Sequence, residues 1–270
     1  MGLLAHLAAA AMLLPGFAPT PAQPTTGTIL SGVFPGTLRP GILYLPPGYT
    51  PQHRYPVVYL LHGMPGSPTE YEYGTDLPGW AAGAISSEAV KPFIAVIPAA
   101  GPDRKYNGEW AGPWETALVR QIVPWVDSHL PTLAEPSGRV LAGLSAGGYG
   151  AVDIALRNPT VFGAVESWSG YFQPLHDGPF KHATKAVLAA NDPVLLAPAE
   201  ATTLRRDHIR FFVTTGPSHS HWFKASGTYA FANELRSLGL PVHYAYYPSA
   251  KGEWREQFDD GMVWAFGTAA

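Results

Sequence analysis

The chain has 270 residues, a formal net charge of -3 and no cysteine. It is long enough to bury a substantial core, and we read one catalytic domain in it. The scattered Lys and Arg residues form no basic run that would mark a nucleic-acid surface, and the absence of cysteine excludes disulfides, Cys-ligated zinc and a thiol nucleophile.

No charged side chain precedes Arg39, and residues 2–14 form an apolar run broken by Pro15-Gly16. The run is too short for a spanning helix of about 20 residues. Residues 1–22 therefore read as a signal peptide or the remnant of a membrane anchor, with small residues at Thr20-Pro21-Ala22 for cleavage. The domain is expected over residues 23–270, secreted or facing the outside of the cell, with cell-envelope association in view.

Residues 28–34 and 38–45 alternate like an antiparallel strand pair at the sheet edge. Dense apolar runs at 55–61 and 92–97 suit strands buried on both faces. The first leads into His62-Gly63-Met64, and the second into a long loop over residues 99–113. Trp114, Leu118, Ile122 and Val126 recur every four residues, which predicts a helix over 114–130 kinked at Pro124. A strand over 139–144, a helix over 147–157 and a strand over 161–166 follow. Residues 167–198 read as an irregular lid or cleft wall. Beyond them come a strand at 209–215, a helix at 223–238 closed by Gly239, a strand at 242–247 and a final helix at 254–266. Strands alternating with helices imply an α/β fold, a mostly parallel central sheet with helices on both faces.

Gly143-Leu144-Ser145-Ala146-Gly147 lies between the strand at 139–144 and the helix that follows. A G-x-S-x-G turn in that setting is a nucleophile elbow, so Ser145 is the expected nucleophile. Acyl transfer also needs preorganised donors for the developing oxyanion, and the amide of Ala146, the residue after the serine, is one.

Four segments, Leu45-Pro46-Pro47-Gly48-Tyr49, residues 56–63 (PVVYLLHG), Trp114-Glu115 and residues 142–150 (AGLSAGGYG), stand in the order of one known architecture. On them the chain resembles the putative-esterase family of α/β-hydrolases, which includes feruloyl esterases, S-formylglutathione hydrolase and the mycobacterial mycolyltransferases. The resemblance implies the α/β-hydrolase fold, a serine ester hydrolase working without cofactor through an acyl-serine intermediate, and a small-molecule or polymer-linked ester as substrate. It places the second oxyanion amide on the His62-Gly63-Met64 turn, at Met64, and makes His62 structural.

The family usually supplies an acid after the strand at 209–215 and a histidine after the strand at 242–247. Here the first loop reads Gly216-Pro217-Ser218-His219-Ser220-His221, and the second reads Ser249-Ala250-Lys251-Gly252-Glu253-Trp254. Two readings follow. In one the roles are exchanged, with His219 or His221 as base and Glu253 orienting it, since triads are defined by geometry and not by chain order. In the other, catalysis has decayed and the fold serves as a binding or cell-wall protein. An acyltransferase differs from a hydrolase only in the acceptor. His176 and His182 are reserve bases, and Asp259 and Asp260 reserve acids. Glu115 reads as a helix anchor. His219 and His221 lack a third ligand at a zinc spacing, so no metal is expected. Trp80, Trp110, Trp114, Trp168, Tyr171, Phe172 and Trp222 are candidates to line an apolar pocket.

Overall fold

The structure is a computed structural model that describes residues 14–19, 25–101, 109–217, 224–248 and 253–268. Its strands are β1 Phe17–Pro19, β2 Thr28–Val33, β3 Pro40–Leu45, β4 Val57–Leu61, β5 Ile94–Ile97, β6 Arg139–Leu144, β7 Ala164–Trp168, β8 Arg210–Thr215 and β9 Val242–Tyr246. They form one sheet in the order β1-β2-β3-β5-β4-β6-β7-β8-β9. β1, β2, β3 and β5 pair antiparallel in turn. From β5 through β4, β6, β7 and β8 to β9 every pairing is parallel.

The helices are α1 Leu77–Ser86, α2 Pro113–Ala117, α3 Val123–His129, α4 Ala146–Arg157, α5 Lys185–Ala189, α6 Pro193–Arg206, α7 Ala225–Ser237 and α8 Glu253–Phe266. Side chains alternate across each strand, so the sheet feeds two cores. In β4, Val57, Tyr59 and Leu61 join one core with residues of α3, α4, α6 and α7. Val58 and Leu60 point the other way, into a core with Leu77 and Ala81 of α1 and Phe258, Met262 and Phe266 of α8. This is the α/β-hydrolase architecture expected from the sequence. No described helix is long and apolar enough to cross a membrane.

Four local expectations are corrected. First, the kink expected at Pro124 is a π-helical turn, Leu118–Ile122, between α2 and α3. A wider turn there accommodates a residue with no N–H to donate. Second, β7 lies later than expected, because Val161 N donates to Asn158 O in a turn at 3.1 Å and Phe162 enters the core from outside the strand. Third, residues 167–198 are not irregular throughout. They contain α5 and the start of α6, whose N-cap Asp192 accepts from Val194 N at 3.0 Å, with Pro193 in the first turn where its missing N–H is harmless.

Fourth, the antiparallel end of the sheet is edged by β1 and not by the β2–β3 pair. Leu14 and Phe17 are buried, and Phe17 packs against Phe34 and Trp125 with ring centroids 4.8 and 5.4 Å apart. Gly32 permits this approach, because a methyl group there would lie 2.6 Å from the Phe17 ring. β1 thus precedes the domain start expected near Gln23. A chain beginning at Gln23 loses the Phe17 contacts, which for a buried aromatic contribute about 2–3 kcal/mol. Its Tm, measured by calorimetry, is expected to fall by about 5–10 °C relative to a chain retaining residues 14–19. An unchanged Tm would show that β1 adds nothing to the domain.

Candidate active site

Leu144 ends β6 and Ala146 starts α4, leaving Ser145 alone to reverse the chain, with φ 56° and ψ -116°. That is an unfavourable conformation for a residue with a Cβ, and it persists only where its surroundings enforce it. Here the enforcement is close packing. A methyl group on Gly147 would lie 1.9 Å from Leu61 O, and one on Gly143 would lie 2.4 Å from Gly147 C. Both glycines of the motif are therefore there for space, letting α4 start hard against the ends of β4 and β6. Ser145 N donates to Trp168 O at 2.9 Å, which ties the turn to the end of β7.

The turn after β4 comes up beside this elbow. A methyl group on Gly63 would lie 3.5 Å from Ser145 Cβ and 3.4 Å from Leu144 O. His62 holds that turn from beneath. Its Nε2 accepts from Ala100 N at 3.1 Å, so the proton sits on Nδ1, which donates to Gly63 O at 2.9 Å. Trp110 donates its indole N–H to His62 O at 3.0 Å and packs edge-on to the imidazole. With both nitrogens engaged and the residue buried, His62 is not available as a base. Burial pulls its pKa down to about 4, against the hydrogen bond to Gly63 O, which raises it.

The wall beside the elbow is apolar. Ala146, Tyr149, Tyr171, Phe180 and Ala111 form a small buried cluster against which Met64 and Leu175 pack. Glu109 joins two loops behind this wall, because its carboxylate accepts from the Tyr171 hydroxyl and, at 3.3 Å, from Leu175 N. Burial pushes its pKa up to about 8. Nothing in the sequence pattern singles out Glu109, a lone acid in a long loop. Of the aromatic residues expected in a pocket, Tyr171 belongs to this wall, while Trp168 and Trp110 are buried structural side chains. Trp168 packs between Tyr71 and Phe258 and donates to Glu166 Oε2 at 3.0 Å. Trp80 packs against Phe258, Trp114 packs on the larger core, and Phe172, a member of that core, also lines an open cavity with Tyr171 and Leu175. Trp222 lies outside the described residues.

The structure thus brings Ser145, Ala146 and the His62–Met64 turn together. His219 and His221 lie outside the described residues. Glu253 is the first residue of α8, one turn ahead of Gln257, and its side chain is also outside what is described. Among the described residues no imidazole hydrogen-bonds Ser145 Oγ: His243 stacks on Phe212 at the sheet edge, and His129 on Trp125. Glu115 accepts from Asn158 Nδ2 at 2.9 Å and pairs with Arg157 at 3.2 Å, which makes it an anchor between helices. Asp260 accepts from the Tyr247 hydroxyl at 2.7 Å on the exposed side of α8, and burial raises the Asp259 pKa to about 6. No group of three His, Asp or Glu among the described residues is placed to hold a metal ion.

A family model described as a putative esterase matches residues 35–265. The chain belongs to that family. An esterase of Mycobacterium tuberculosis is 28% identical over 247 residues, covering 75% of this chain and 50% of that protein. A protein of Xylanibacter ruminicola named endo-1,4-beta-xylanase/feruloyl esterase is 31% identical over 140 residues, covering 47% of this chain and 19% of its own. The chain thus spans half or less of the length of these curated relatives. A solved ferulic acid esterase superposes with a TM-score of 0.73 at 18% identity, covering 93% of this chain and 96% of that one, which establishes the shared fold. All four segments that carry the family resemblance, residues 45–49, 56–63, 114–115 and 142–150, lie among the described residues.

His62 makes the turn after β4 sensitive to acid. Its folded pKa lies below the unfolded value, so between about pH 6.5 and 4 the unfolded chain binds a proton that the folded chain does not. Stability from this group is present above that window and is lost as pH falls through it, by up to about 3 kcal/mol. In Tm measurements from pH 7 to 4, His62→Asn is expected to start lower but to show a shallower decline than the wild type. Parallel curves would remove His62 as the titrating group.

Proposed function

We propose that this domain is a serine ester hydrolase that works through an acyl-serine intermediate on Ser145. The observation that supports the reading is the strained turn at Ser145 with the Gly63 turn packed against it, and the amides of Ala146 and Met64 are the candidates to receive the oxyanion. Ser145 Oγ attacks the ester carbonyl, and the N–H groups of Ala146 and Met64 receive the oxyanion. His219 or His221 takes the Oγ proton and returns it to the leaving alkoxide. Water then attacks the acyl-serine with its proton taken by the same imidazole, releasing the acid and restoring the serine. Glu253 stabilises the imidazolium.

The substrate in this reading is an aryl carboxylic ester, supported by the feruloyl esterase in the name of the relative from X. ruminicola and by the apolar wall at Met64, Ala146 and Tyr171. No cofactor takes part. We further propose that the chain is exported, supported by the uncharged apolar run at its start.

Hydrolysis of p-nitrophenyl acetate and of methyl ferulate is expected to fall at least 1000-fold in Ser145→Ala at unchanged Tm. Equal rates in that variant would refute the nucleophile. An inactive wild type would favour the binding-protein reading, and faster release in the presence of an added alcohol, with a new ester formed, the acyltransferase reading. One of His219→Ala and His221→Ala, but not both, should lower kcat by about 100-fold or more, with Glu253→Gln costing less. Full activity in both histidine variants would place the base elsewhere.

A further inference from the structure

Ser145 does not hold its conformation alone. Its N–H donates to Trp168 O, so the elbow depends on where the end of β7 puts that carbonyl. The peptide carrying it runs into Ser169, a non-glycine residue with φ 48°. Two left-handed residues are therefore joined through one hydrogen bond, and neither would keep that conformation in isolation.

What holds Ser169 is a closed polar ring at the ends of β7 and β8. Ser169 N donates to Thr214 O at 2.9 Å. Thr214 Oγ1 donates to Gln257 Oε1 at 2.7 Å, and Gln257 Nε2 donates to Ser169 Oγ at 2.9 Å. Gln257 comes from α8 and is fully buried. Its Oε1 accepts from Thr214 Oγ1 and, at 3.3 Å, lies in reach of the Ser169 hydroxyl, while its Nε2 supplies Ser169 Oγ with a donor that an ionised carboxylate lacks. α8 is thereby connected to the nucleophile through Ser169 and the Trp168 carbonyl.

We propose that Gln257 is a positioning residue for the nucleophile: it clamps Ser169 in its left-handed conformation and so sets the carbonyl that fixes the Ser145 amide. The catalytic part of this inference rests on Ser145 being the nucleophile. The positional part does not.

The test separates the clamp from the strain it opposes. Glycine adopts a positive φ freely, so Ser169→Gly needs no clamp, whereas Ser169→Ala keeps the strain and removes the hydroxyl that Gln257 holds. Two readouts apply, hydrogen-exchange protection of the Ser145 amide by NMR, and kcat and KM with p-nitrophenyl acetate. Gln257→Met and Ser169→Ala are expected to lower Ser145 protection at least tenfold and kcat at least tenfold, with KM within twofold. Ser169→Gly should stay within threefold of wild type, and the Gln257→Met/Ser169→Gly double variant should recover to the same range. If Gln257→Met fails to fold, the alanine and glycine variants at 169 decide the matter. Equal behaviour of those two, wild-type protection in Gln257→Met, or a double variant no better than Gln257→Met would overturn the proposal. So would a loss of protection without loss of kcat in an active enzyme. A wild type that hydrolyses no ester would instead refute the nucleophile reading, while amide protection would still decide the role of Gln257.

Discussion

The close approach of α4 to β4, which holds the backbone at Ser145, is the constraint on which the rest of the site depends. The positive φ of Ser145 is tolerable because α4 is pressed against β4, so closely that a methyl group on Gly147 would sit 1.9 Å from Leu61 O. That contact requires β4 and β6 to be parallel neighbours, and they pair from Val57 with Arg139 to Leu61 with Gly143. It also requires the core below to fix α4 in height, which Val152, Ile154 and Leu156 do as buried members of the helix. The strained turn is thus an outcome of the packing of the whole sheet and is not a local preference of five residues.

Around this turn the buried polar groups act as loop ties. His62 holds the turn after β4 to the strand end at Ala100, Glu109 holds the segment at Tyr171 and Leu175, and Gln257 holds the ends of β7 and β8 to α8. Each is buried and each has its partners, which is the condition under which a buried polar side chain orders a structure without weakening it. Their titration follows from the same burial. His62 is kept neutral, and Glu109 and Glu166 are both pushed up to about 8, Glu166 against the opposing effects of Trp168 and Arg210. The loops around the turn are therefore anchored by groups that burial favours in their neutral form.

Much of this was legible in the sequence, for identifiable reasons. β4 and β6 read directly because continuous apolar runs ending in glycine-containing turns have few other uses, and the elbow motif set the boundary between β6 and α4 to within one residue. Where the reading failed, a residue was doing something other than its average. Pro193 and Pro198 look like breakers, yet the first sits in the opening turn of α6 and the second inside it. Phe17 belongs to a stretch whose composition suggests a leader, yet it packs on Phe34 and Trp125. Gln257 and Glu109 are ordinary polar residues in sequence, and only the chain's path through space gives them partners. The base and acid are a different matter. The loops after β8 and β9 depart from the family's usual residue types, so neither motif nor resemblance assigns those roles.

The central claim is that Ser145, presented by its strained turn, is the nucleophile of the proposed hydrolase. The most direct measurement is intact-mass and peptide mass spectrometry after exposure to a fluorophosphonate, which phosphonylates an activated serine with loss of fluoride. The account predicts one adduct per chain, on the peptide containing Ser145, and none in heat-unfolded protein. A folded protein that takes up no adduct, or takes it up on another serine, would contradict it.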